Sequence, residues 1–234
     1  MNKKLKITLV RFPKCASTFL HNNFSTLLKE GKISDYRFVA GLAAGPSKKL
    51  IYYRSGNQTL SEPESSPLPL EAPERREWRF ISCIRHPVER FFSALFFNEA
   101  ALVTRKHSSL HERTSLEAKI KLFIESGELK PCVFELMCSG APGCYFNHMS
   151  LLTSMDILIF QEHIQEGIDK IKQKWNFDII NKIHGKQSTD LYNETFNKDC
   201  GQERQLLKEK YYGPLEQIFQ KDIEAYHSLK NKFL

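Results

Sequence analysis

Two stretches of the chain carry charged, hydroxyl and turn-forming residues at spacings that suit an anion. The first, Arg11-Phe12-Pro13-Lys14-Cys15-Ala16-Ser17-Thr18, follows a short apolar run and precedes an amphipathic one. Backbone N–H groups at the start of a helix have no intrahelical partners and sit at the positive end of the helix dipole. Around Cys15 to Thr18 they can surround a phosphate. Ser17 and Thr18 add hydroxyl donors, and Lys14 adds a full charge. Alone, the segment reads equally well as a capped helix beside a solvated lysine. It is not a Walker loop, which needs G-x-x-x-x-G-K-[ST]. No glycine occurs between Arg11 and Glu30, and the lysine precedes the small residues. That disfavours a kinase or nucleoside triphosphatase.

The second stretch is Cys83-Ile84-Arg85-His86-Pro87-Val88-Glu89-Arg90-Phe91-Phe92-Ser93. Arg85 closes an apolar run, so it falls at a strand end. Ser93 comes about two helical turns later. A guanidinium fork and a hydroxyl together can hold one phosphate. Glu89 and Arg90 read as an exposed ion pair of little energetic value, with Arg90 left open.

The elements that must position these groups follow from the hydrophobic periodicity. Residues 5–11 predict a strand, stopped by Pro13, which cannot donate to a ladder. Ser17 or Thr18 is placed to cap a helix whose Phe19, Leu20, Phe24, Leu27 and Leu28 share one face, and Gly31 ends it. Further strands are expected over 36–39, 50–53, 79–85 and 156–160. Helices are expected from Pro87 onward, over 114–126, 131–138 and 162–175, and over 202–229 with an interruption around Gly213-Pro214. Residues 54–77, rich in Pro, Ser and Glu, read as one long loop, either a lid or binding element or a disordered insertion. Recurrent strand–loop–helix units predict one α/β domain over residues 1–234, three layers αβα around a central parallel sheet. Ligands in such folds bind at the carboxyl ends of the strands, where both stretches fall.

Lys and Arg exceed Asp and Glu by 34 to 27, a net charge of +7 that suits an anionic ligand without naming one. The basic residues are scattered and no Arg/aromatic module occurs, which argues against nucleic acid. No run approaches the roughly 20 apolar residues of a membrane span, and Ile7 to Val10 is too short for a signal-peptide core. A cytoplasmic protein is the resulting expectation. The six cysteines contain no C-x-x-C pair, and no convincing metal cluster is present. Cys138 and Cys144 bracket a flexible segment and are either a disulfide or two reduced thiols beside a turn.

Arg11 through Phe19 resembles the 5′-phosphosulfate loop of sulfotransferases that use 3′-phosphoadenylyl sulfate (PAPS). The likeness is to the carbohydrate branch, in particular the uronosyl 2-O-sulfotransferases. Ile84 through Ser93 resembles that family's 3′-phosphate motif, R-x-P-x-E-R-x-x-S. Phe160-Gln161-Glu162-His163 and Asp222-Ile223-Glu224-Ala225-Tyr226 are similar too, so the likeness extends over most of the chain. The two nucleotide motifs are its specific part. The resemblance implies a P-loop-like sulfotransferase fold that moves a sulfuryl group from PAPS to a hydroxyl of a carbohydrate or small-metabolite acceptor, without a metal.

On this resemblance, Lys14 contacts the bridging oxygen between sulfate and phosphate, and Arg11, Cys15, Ala16, Ser17 and Thr18 line the 5′-phosphate. Arg85 and Ser93 hold the 3′-phosphate. Lys186 and Ser188 close over the nucleotide or form a plain surface loop. Cys138 and Cys144 have a similar-looking counterpart in the same branch. Relatives place a glutamate or histidine base between the two motifs, which leaves Glu62, Glu64, Glu71, Glu74 and Glu77 as candidates, with His107 and His111 outside them. A non-catalytic binder of adenine nucleotide or polyanion on the same fold is the alternative expectation.

Overall fold

The computed structural model describes residues 4–12, 14–40, 51–54, 58–60, 77–104, 115–126, 142–179, 192–194, 196 and 200–234. The chain divides into two compact units interleaved in sequence: Met1–Arg85, Asn147–Gly185 and His227–Leu234 in the first, His86–Phe146 and Lys186–Tyr226 in the second.

The first unit is built on six strands: β1 (Lys6–Arg11), β2 (Asp35–Ala40), β3 (Ile51–Arg54), β4 (Gln58–Leu60), β5 (Trp78–Ile84) and β6 (Ile157–Phe160). They lie in the order β4-β3-β2-β1-β5-β6. The four strands β2, β1, β5 and β6 run parallel. Ile7, Thr8, Leu9 and Val10 of β1 are all buried, as a strand covered on both faces requires. β3 and β4 are antiparallel at one edge of the sheet, whose remaining four strands are parallel as expected. Residues 54–77 are not the one loop expected, since β4 lies within them. Three residues separate β3 from β4, and so short a connection imposes antiparallel pairing, because a parallel crossover needs a dozen or more.

Between β1 and β2 runs α1 (Ser17–Lys29), which buries Phe19, Leu20, Phe24 and Leu27. Gly31 follows it at φ 66°, the left-handed conformation that ends a helix, and its N–H donates to the Leu28 carbonyl at 3.0 Å. After β5 the chain leaves this unit and returns through the short helix Met149–Thr153 into β6. Asp156 locks that return: its carboxylate accepts the Phe80 N–H at 2.8 Å, and its own N–H donates to the Phe80 carbonyl at 2.9 Å. The chain steps from β1 to β2 in one direction and from β5 to β6 in the other. The reversal puts a topological switch point between the carboxyl ends of β1 and β5.

The second unit is helical in its described part: α2 (Pro87–Thr104), α3 (Leu116–Ser126) and, after α4 (Met149–Thr153) and α5 (Ile164–Trp175) of the first unit, α6 (Gly201–Ile218). The last helix, α7 (Gln220–Phe233), begins in the second unit and ends in the first. Val88, Phe91, Phe92, Leu95 and Phe96 pack with Ile120, Phe123, Leu215 and Phe219. The expected interruption at Gly213-Pro214 is not observed. α6 runs through Pro214, held by the buried Tyr211 and Leu215 on either side, and the break falls at Phe219. Among the described residues no helix is long and apolar enough to cross a membrane. The predicted helix over 131–138 lies outside the described residues, as do Pro13, Cys138, His107, His111, Lys186, Ser188, Glu62, Glu64, Glu71 and Glu74.

Candidate functional site

β1 ends at Arg11 and α1 begins at Ser17, and the backbone between them alternates in hand. Lys14 has φ 63° and Ala16 has φ 55°, both left-handed, while Cys15 between them is not. Neither is a glycine, and a side chain in that region costs roughly 1–2 kcal/mol. Strain of this kind is maintained where a site uses it. Alternating hands turn successive N–H groups toward one side, which is an anion-binding concavity. The loop opens at the switch point, so its position and its backbone point to the same use.

The expected cap is absent. Ala16, not Ser17 or Thr18, is the N-cap residue, and no side chain caps the first turn. Ser17 is buried, and its hydroxyl accepts from Arg11 Nε at 3.4 Å, while Thr18 is exposed. The Ser17 side chain is thus occupied with Arg11, and among the described residues no side chain caps the opening N–H groups of α1. Cys15 is fully buried beneath the loop.

Lys14 lies close enough to Arg85 for the guanidinium to act on it. Burial first, then that neighbouring positive charge, bring the Lys14 pKa down to about 8, with Cys15 opposing. Sequence placed these two cations in separate motifs 71 positions apart, and the pairing of β1 with β5, Arg11 beside Cys83, is what brings them together. Cys83 is fully buried. Burial pushes its thiol well up, with Cys15 and Glu162 adding to the effect and Arg85 opposing. Glu162 therefore belongs to this neighbourhood, although periodicity alone gave it no role. Gln161, directly after β6, has a buried Oε1 with no hydrogen-bond partner among the described residues.

Two histidines flank the loop. His148 packs edge-on against Phe12, ring centroids 6.1 Å apart. His21, one helical turn after Ser17, sets Nδ1 3.0 Å from the Tyr36 hydroxyl and lies edge-on to Phe38 at 4.7 Å. Burial first, then Arg11, lower the His21 pKa below 6.5. The only sign of His21 in the sequence was its i, i+4 spacing from Ser17 on an amphipathic helix.

Ser93 is in the second unit, buried on α2. Glu77 is exposed and pairs with Lys6 at 2.7 Å, next to the amino-terminal end of β1 and away from the loop. Glu89 and Arg90 are not the exposed pair expected, because Arg90 is fully buried. Glu89 binds Lys208 and stands 3.6 Å from Arg204, while Arg90 is fully buried with its guanidinium 4.5 Å over the Tyr145 ring. Among the described residues no group of three or more His, Cys, Asp and Glu is placed to hold a metal.

No family model, no curated protein and no solved structure matches this chain.

Proposed function

We propose that this protein is a PAPS-dependent sulfotransferase, on a three-layer fold of the P-loop-like sulfotransferase type, that sulfates a hydroxyl of a carbohydrate or small metabolite. The observation carrying this reading is the left-handed pair Lys14 and Ala16 at the head of α1, at the switch point beside Arg85. The loop and Arg85 together offer several donors and two cations, and PAPS carries phosphate at both ends.

In this reading the loop N–H groups hold the 5′-phosphate and the Lys14 ammonium faces the bridging oxygen. Negative charge builds on that oxygen as the sulfuryl group leaves, so a fixed ammonium favours the transition state over the bound donor. Arg85 binds the 3′-phosphate and thereby rejects donors that lack it. The acceptor hydroxyl attacks in line, opposite the leaving oxygen, and must lose its proton.

Adenosine 3′,5′-bisphosphate at 100 times its Kd should raise stability by about 2.7 kcal/mol, and adenosine 5′-phosphosulfate should bind more weakly. Lys14→Ala should reduce sulfuryl transfer from labelled PAPS by roughly 10²–10³-fold while the bisphosphate still raises Tm. Arg85→Ala should cost about 1.5–3 kcal/mol of nucleotide affinity. A wild-type Tm indifferent to the bisphosphate would overturn the reading. A nucleotide-dependent Tm without any transfer would leave the non-catalytic binder.

A further inference from the structure

We propose that His21 is the base that accepts the proton of the attacking hydroxyl, with Tyr36 fixing its ring; this inference rests on the sulfotransferase reading above. In-line displacement needs the acceptor and the departing nucleotide on opposite sides of the sulfur. Lys14 and Arg85 bind the departing side, and Arg85 follows β5. β2 flanks β1 on the other side, and His21 packs there, against Tyr36 and Phe38 of β2.

The corner is a defined set of groups. Arg11, the last residue of β1, reaches Ser17 Oγ at 3.4 Å and lies 5.3 Å over the Phe38 ring. His21 lies against the same Phe38 ring, 4.7 Å between centroids. Ser17 and His21 are four residues apart on α1 and so share a face. His21 is half-buried, and among the described residues its Nε2 takes no hydrogen bond while Nδ1 is engaged with Tyr36. In the tautomer whose Nδ1–H donates to the phenol oxygen, Nε2 keeps its lone pair for a proton. Burial holds the Tyr36 phenol protonated far above neutral pH, Arg11 opposing, so Tyr36 orients the ring and does not compete for the proton.

The step balances within this set. The acceptor oxygen forms a bond to sulfur, and its proton passes to His21 Nε2. The bond from sulfur to the bridging oxygen breaks with its electron pair, which stays on the nucleotide phosphate beside Lys14. Among the described residues, the groups facing His21 are the charged Arg11 from β1 and the neutral Tyr36 phenol from β2. Arg11 helps keep the imidazole neutral before reaction, and the arriving phosphosulfate offsets that same charge when the proton is taken up.

The test uses the full chain and labelled PAPS, with transfer to water measured alongside transfer to a panel of sugars and alcohols. His21→Gln should lower transfer by roughly 10²–10⁴-fold with the Tm rise from adenosine bisphosphate intact. The acid limb of the wild-type pH–rate profile, set by a group titrating below pH 6.5, should vanish in this variant. The alkaline limb near pH 8 from Lys14 should remain. Free imidazole should restore part of the rate to His21→Ala. His148→Gln is the control and should transfer normally. Transfer by His21→Gln within threefold of wild type overturns the proposal, as does loss of the Tm rise in that variant or loss of transfer in His148→Gln instead. A wild-type protein whose Tm ignores the bisphosphate defeats the underlying reading and this inference together.

Discussion

The two units treat buried charge in opposite ways. In the second, opposite charges meet. Lys119 pairs with Glu99, both nearly buried, and Glu89 is held by Lys208 with Arg204 nearby. The fully buried Asp222 carboxylate accepts four consecutive backbone N–H groups, from Gly143 to Phe146, at 2.7–3.2 Å. In the first unit, like charge is set beside like, Lys14 beside Arg85, on a loop whose backbone is also strained. Charges that answer one another hold a fold together. Charges that repel can be maintained only where the rest of the fold supports them, and a third, negative party gains most there.

Four substitutions or titrations bear on this contrast. Asp222→Ala should be the most damaging, since four backbone donors, those of the buried Cys144 and Tyr145 among them, lose their acceptor. At least about 4 kcal/mol of stability should go, read as a lowered denaturation midpoint. Lys119→Met should cost about 3–5 kcal/mol by stranding Glu99, and adding Glu99→Leu should recover most of it. Lys14→Met should have the reverse sign and raise the stability of the ligand-free protein by about 1–2 kcal/mol at pH 7. The sign follows from the lowered pKa. Below about pH 8 both folded and unfolded chains keep the ammonium and the folded one carries its full cost, and the gain from methionine should fade as pH rises from 8 toward 10.5. The gentlest effect is on affinity. Adenosine bisphosphate should bind with a Kd that rises by up to tenfold per pH unit above pH 8, as the ammonium is lost. A Kd flat to pH 10 would show that Lys14 does not meet the anion.

Much of the first unit was legible in sequence. Largely apolar, β-branched runs such as Ile7–Val10 and Phe80–Ile84 have few readings other than buried strands, and Gly31 ends α1 as expected. What escaped was non-local or against local preference. Pro214 argues for a break that the packing of Leu215 overrides. Lys14 and Ala16 carry no mark of a left-handed backbone, because the usual mark is glycine and the loop has none. Glu89 meets Lys208 and Arg204 of α6, and no spacing rule reaches across more than a hundred residues. The adjacency of Lys14 and Arg85 likewise depends on strand order, which sequence constrains only through connection rules.

The lowered Lys14 pKa has a chemical consequence apart from any phosphate. An amine reacts with electrophiles only when it has shed its proton. At pH 8 about half of Lys14 is in that form, against well under one per cent of an ordinary lysine. An activated ester used sparingly would therefore acylate this lysine ahead of lysines of ordinary pKa. A single amide bond would then report, by its presence or absence, whether the loop was occupied.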